Sequence, residues 1–95
     1  ATTGTLRLND VTIRNGGVVY DGGNLKNLGN TYIHNATFIF GHAESGGSIH
    51  NKGLMTFSQS KLVNNYGGCG GGILNDSTGV LTVTNSFLLG NVGDG

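Results

Sequence analysis

The sequence predicts an all-β chain wound into a parallel β-helix, or β-solenoid, of about four coils with 24–26 residues and three short strands each. Three observations carry this. Glycine fills 19 of 95 positions, where ordinary proteins hold about 7%. Two short patterns recur in phase along the whole chain. Between them, apolar and polar residues alternate with a period of two, the period of a strand.

The first pattern is a single glycine followed by an alternating block. It starts at Gly4, Gly29, Gly53 and Gly79, with spacings of 25, 24 and 26 residues. The second is Gly-Gly-x-aliphatic-x-Asn, at Gly22–Asn27, Gly46–Asn51 and Gly70–Asn75, spaced by 24 and 24. The alternation runs through Leu6, Leu8, Val11 and Ile13, then Ile33, Ala36 and Phe38. It continues through Met55, Phe57, Ser60 and Leu62, and through Leu81, Val83, Ser86 and Leu88. No segment shows the i, i+3, i+4 spacing of a helix. Each repeat therefore makes one coil, and each strand pairs in parallel with its equivalent in the next coil. The general preference for right-handed crossovers makes the coil right-handed.

Columns across the coils support this reading. A corner between the first two strands holds Asp10, Asn35, Gln59 and Asn85, and the marker strand ends in Asn27, Asn51 and Asn75. Stacked amides donate and accept along the axis, so Asn27, Asn51, Asn75, Asn35, Gln59 and Asn85 are expected to form structural ladders. Asn and Gly also tolerate the left-handed backbone that corners need, a role expected of Gly4, Gly29, Gly53 and Gly79. The inner columns Leu25, Ile49, Ile73 and Ile13, Phe38, Leu62, Leu88 are apolar throughout. The insertion Asp76-Ser77 falls at a corner, where it leaves the ladders intact. Proline is absent, as expected where nearly every strand is central.

These residues resemble a known group. Gly-Gly-x-Ile-x-Asn, followed by Leu-Thr-Val-Thr-Asn-Ser and an apolar-x-x-Asn step, looks like the repeats of secreted bacterial parallel β-helix proteins. That group includes pectin-lyase-like proteins, polymorphic outer-membrane protein repeats and autotransporter passengers, with GGAI and FxxN signatures. The first signature is approximated at Gly46–Ile49 and Gly70–Ile73, the second at Leu62–Asn65 and Leu88–Asn91. The Phe38 repeat departs, with Gly41 in place of Asn. The resemblance implies an extracellular or cell-surface setting and leaves function open, because one fold hosts many functions.

Composition narrows the classes. Net charge is zero with five Lys and Arg, so no electrostatic footprint for nucleic acid exists. No apolar run approaches the roughly 20 residues of a spanning helix, and membrane insertion is not expected. One cysteine, Cys69, makes neither an internal disulfide nor a cysteine zinc site, although it could pair between chains. No cofactor is implied. Gly67–Gly72 lacks the Lys-Ser/Thr and the helix of a phosphate-binding loop.

No catalytic or metal site is expected. Among the carboxylates only Asp21 and Glu44, with His42 nearby, could lie together. His34, His42 and His50 fall in three different columns, and surface positions suit them. Asn35-Ala36-Thr37 and Asn75-Asp76-Ser77 are glycosylation triplets. The outer column Arg7, Tyr32, Thr56, Thr82 is too mixed for an ice-binding face. Ile39, Val63 and Leu89, with Phe87 beside them, form an outward apolar stripe, the mark of a lateral contact.

A single domain over 1–95, with coils starting near 4, 29, 53 and 79, is expected to be uncapped at both ends. Such a piece is either cut from a longer solenoid or stacks with copies of itself. The leading expectation is a structural, self-associating extracellular subunit of a filament or surface fibre. The alternative is the repeat region of an adhesin or autotransporter passenger that binds glycan or protein. A carbohydrate-active enzyme remnant ranks last.

Overall fold

The computed structural model describes residues 4–17 and 22–93. Among them the chain is all strand, with no helix. The first coil holds β1 (Thr5–Asn9), β2 (Thr12–Arg14) and β3 (Leu25–Asn27). The next holds β4 (Asn30–His34), β5 (Thr37–Ile39), β6 (His42–Ser45) and β7 (Ile49–Asn51). Then come β8 (Leu54–Ser58), β9 (Lys61–Val63), β10 (Tyr66–Cys69) and β11 (Ile73–Asn75). The chain finishes with β12 (Val80–Thr84), β13 (Phe87–Leu89) and β14 (Val92–Gly93).

These strands stack in parallel into four sheets. Sheet A runs β1-β4-β8-β12, sheet B β2-β5-β9-β13, sheet C β6-β10-β14 and sheet D β3-β7-β11. Two sheets have four strands and two have three, so the described residues complete about three turns of a β-solenoid. Registers follow the sequence columns: Ile13, Phe38, Leu62 and Leu88 align, as do Leu25, Ile49 and Ile73.

A full turn contains four strands, not the three the sequence suggests. The additional strand is that of sheet C. Its axis-facing column passes through Ala43, Gly67 and Gly93. Residues this small leave no apolar alternation to read. They let the wall of sheet C lie close against the adjoining corner of the preceding coil: a Cβ on Gly67 would stand 2.6 Å from the Gly47 nitrogen.

Between the sheets lies a narrow core of Ile33, Phe38, Ile49, Met55, Phe57 and Leu62. The Phe38 and Phe57 rings meet at 6.0 Å. Burial of side chains this size contributes roughly 1.5–3 kcal/mol each. Leu8, Ile13, Leu25, Ile73 and Leu81 pack against this core from the two ends and are only partly covered.

Three corners are made by left-handed residues. Asp10, Asn35, Gln59 and Asn85 turn the chain from sheet A into sheet B, with φ of 56, 52, 46 and 49°. Asn15, Phe40, Asn64 and Gly90 turn it out of sheet B, and Gly22, Gly46 and Gly70 lead into sheet D. The glycines that start each coil serve differently from the expectation. Gly53 and Gly79 have no positive φ. They are glycine for lack of room: a Cβ on Gly53 would run into the Gly29 carbonyl, and one on Gly79 would stand 2.6 Å from the Asn51 carbonyl.

Candidate interaction surfaces

The interior polar groups are arranged in columns along the axis. Asn27 Nδ2 donates to Asn51 Oδ1 at 2.8 Å, and Asn51 Nδ2 donates to Asn75 Oδ1 at 2.8 Å. Each amide also ties the turn that follows it. Asn27 Oδ1 accepts from the Gly29 N–H, and Asn51 Oδ1 from the Gly53 N–H, both at 3.2 Å. Asn27 Oδ1 accepts a further bond from the buried Thr31 hydroxyl at 2.8 Å.

The corner column behaves otherwise. Asn35 Nδ2 donates to Asp10 Oδ1 at 2.6 Å. Among the described residues, no side-chain bond joins Asn35 to Gln59 or Gln59 to Asn85. All four corner residues are exposed. A left-handed corner turns its side chain out to water, so this column is shared in backbone conformation rather than as an amide ladder.

Two interior ladders escape a reading by residue type. Asn65 Nδ2 donates to Asn91 Oδ1 at 2.8 Å, and Asn65 Oδ1 accepts from the Gly41 N–H at 2.7 Å. Asn65 and Asn91 occupy the last place of the apolar-x-x-Asn step, which was the available signal. Where the step lacks its Asn, at Gly41, the carboxamide of Asn24 substitutes: its Oδ1 accepts from the Gly16 N–H at 2.8 Å. A serine ladder fills the other corner. Ser60 Oγ accepts from the Ala36 N–H at 3.0 Å, and Ser86 Oγ from the Ser60 N–H at 3.2 Å.

The titratable groups are dispersed. Asp21 lies outside the described residues. Glu44 and His42 are exposed on β6, and the His42 ring packs against Tyr66 at 5.1 Å. His34 Nδ1 lies 3.2 Å from Ser58 Oγ on the exposed face of sheet A. His50 departs from the surface expectation, being only 4% exposed. It stands between Lys26 and Leu74 in its column, with Nε2 3.1 Å from Asp76 Oδ2. The corner insertion thus supplies the carboxylate that meets it. This hydrogen bond, then that from the Ser77 N–H, holds the Asp76 carboxyl below its ordinary value. Among the described residues, no three His, Cys, Asp or Glu side chains could together hold a metal ion. Cys69 is an exposed free thiol beside Ser45 in the ladder.

Both glycosylation triplets begin at exposed asparagines. Asn35 is bonded to Asp10, and Asn75 is engaged in its ladder.

The apolar stripe is uneven. Arg14, Ile39, Val63 and Leu89 share a column. Ile39 and Val63 are half-buried, each flanked by the column. Phe87 and Leu89 are well exposed, and so is Leu88 between them, at 51%. Leu88 belongs to the inward column, and it is exposed because β13 is the edge of sheet B. The same holds for Val83 on β12, and for Leu6 on β1 at the opposite edge, each 41% exposed. The exposed apolar surface is therefore concentrated at the two ladder edges more than along the side. At the β12 edge, Ile73, Asn75, Leu81, Val83 and Leu88 border a groove of about 460 Å³.

Compared with known proteins, the chain matches no family model, no curated protein and no solved structure.

Proposed function

We propose that this chain is a structural β-solenoid module that associates with further copies of itself, edge to edge, in an extracellular or cell-surface assembly. One observation carries the reading: inward residues Leu6, Val83 and Leu88 stand exposed on free ladder edges at opposite ends of one stack. The two edges are complementary in register. With β1 of one copy continuing from β12 of another, Leu6 falls on Leu81, Leu8 on Val83 and Ile13 on Leu88. Asn85 falls on Asp10, pairing an amide with a carboxylate as Asn35 and Asp10 do within the chain, here with the amide on the preceding coil. Such a contact joins unlike surfaces and extends without closing. The repeat resemblance and low charge support the setting.

The side stripe favours a second reading. Phe87, Leu89, Val63 and Ile39 would serve a surface-displayed repeat region that binds glycan or protein. Neither reading calls on catalysis, a metal or a cofactor.

Sedimentation velocity across a concentration series, with negative-stain microscopy, tests the first. Growing oligomers or fibres are expected. A monodisperse monomer at millimolar concentration would overturn it, and saturable glycan-array binding by that monomer would favour the second.

A further inference from the structure

We propose that the Asn15–Gly16 bond is a latent self-modification site, which deamidates through a cyclic imide, and that the Asn24 carboxamide holds it unreacted while the coil is folded. Asparagine is a chemically labile residue, and Asn15 is the one asparagine of the chain that precedes a glycine. It is exposed, at the left-handed corner out of sheet B, with φ of 61°. Cyclisation requires the nitrogen of the following residue to reach the side-chain carbonyl carbon. Gly16 has no side chain to obstruct that approach.

The reaction needs only water. The Gly16 nitrogen gives its proton to solvent and bonds to Asn15 Cγ. The Cγ–Nδ2 bond breaks, and Nδ2 takes up a proton and leaves as ammonia. Water then adds to one imide carbonyl. Scission of the new C–N bond gives aspartate. Scission of the original peptide bond gives isoaspartate, whose main chain runs through the side-chain carbons.

The fold restrains the attacking nitrogen. The Gly16 N–H donates to Asn24 Oδ1 at 2.8 Å, and that bond must break before the nitrogen attacks. Asn24 is itself fixed, because its Nδ2 donates to Oγ of the buried Ser48 at 3.0 Å. The Asn15 N–H donates to the Ile39 carbonyl at 3.1 Å, and the Gly16 carbonyl accepts from the His42 N–H at 2.9 Å. Both partners in the reaction are thus tied to the next coil. Gly16 is also packed so closely that a Cβ there would run into the Gly23 carbonyl. Isoaspartate lengthens the main chain between these two ladder bonds, where no such room exists.

Asn64 supplies an internal comparison. It stands at the same left-handed corner two coils on and is exposed. Its following residue, Asn65, is buried, and the Asn65 N–H is likewise held by a carboxamide, Asn91 Oδ1, at 3.1 Å. The two corners differ in the residue that supplies the nitrogen: glycine after Asn15, a bulkier residue after Asn64.

The 95-residue protein is incubated in mildly alkaline buffer, folded and in guanidinium chloride, and conversion at Asn15 and Asn64 is followed by tandem mass spectrometry of tryptic peptides. Slow conversion at Asn15 is expected in the folded protein and fast conversion in denaturant, with Asn64 far behind in denaturant. Asn24→Ala, shown to be folded by its guanidinium transition, is expected to convert Asn15 about tenfold faster than the parent, the release of one hydrogen bond. Asn24→Asp keeps an acceptor oxygen and is expected to stay near the parent rate. Equal rates at Asn15 in the folded and denatured parent would overturn the proposal, a comparison that holds even where Asn24→Ala does not fold. An unchanged rate in folded Asn24→Ala, or conversion of Asn64 ahead of Asn15 in denaturant, would overturn it as well.

Discussion

Asn51 uses every hydrogen-bonding capacity of its carboxamide. Both amide hydrogens are donated, to Asn75 Oδ1 and the Val80 carbonyl, and its oxygen accepts from Asn27 and the Gly53 N–H. Asn51→Leu fits the volume and leaves four partners short of a bond, the buried Asn27 among them. A loss of about 3 kcal/mol is expected, measured by urea unfolding; a loss under about 1 kcal/mol would show that the ladder contributes little. Gln59 presents the opposite case. It is exposed and left-handed in a column otherwise made of Asp and Asn. Since Asn tolerates this conformation better, Gln59→Asn is expected to stabilise by about 0.5–1 kcal/mol. A destabilised variant in the same unfolding assay would contradict the conformational account of the corner. These two residues also mark the limit of reading columns from residue type. Asn51 and Gln59 stand in equally regular amide columns, yet one points to the axis and the other to water. The sign of φ decides between them, and no residue letter carries it.

At the scale of elements, sheets A, B and D were legible because their inward residues are large and alternate. Sheet C was not, because Ala43, Gly67 and Gly93 offer no apolar signal. The ladder cap was equally hidden. Thr31 occupies an inward column with Leu6, Met55 and Leu81, where alternation alone would favour an apolar residue. Its hydroxyl instead closes the Asn27 ladder. Thr31→Val is therefore expected to destabilise by about 1 kcal/mol, whereas a pure burial argument predicts a gain; differential scanning calorimetry separates the two. The Asp76 corner adds a pH dependence. Its folded-state pKa lies below the ordinary value of 3.8, so its stabilising contribution is complete above that value and disappears as pH falls through the folded one. Asp76→Asn should be less stable than the parent at pH 7, with the difference closing below about pH 3.8. A difference that persists unchanged at pH 2 would show that the carboxylate charge is not its source.

At the scale of the whole molecule, the proposed edge-to-edge contact is the one that would cover the exposed inward Leu6 and Leu88. Covering Leu88 stabilises an edge contact by about 2 kcal/mol. Leu88→Lys is accordingly expected to weaken self-association by about thirtyfold in sedimentation equilibrium. Thr82→Lys, on the outward side of the neighbouring edge strand, should change it little. Equal effects of the two substitutions would move the contact from the ladder edge to the side of the coil. The general solenoid was readable from the sequence because repetition amplifies each weak preference across several coils. The unequal strand numbers of the sheets, which shape the edges, follow from where the coil is divided around its circumference.

The amide ladders have one more property. In both, each carboxamide donates toward the following coil, Asn27 to Asn51 to Asn75 and Asn65 to Asn91. Their group dipoles consequently point the same way and add along the axis, as peptide dipoles do along a helix. The face that ends in Asn75 presents amide hydrogens; the opposite end of the stack carries the exposed Asp10 carboxylate together with exposed Arg7, Arg14 and Lys26. A chain of zero net charge thus has a direction along its axis, set by the common orientation of its interior carboxamides.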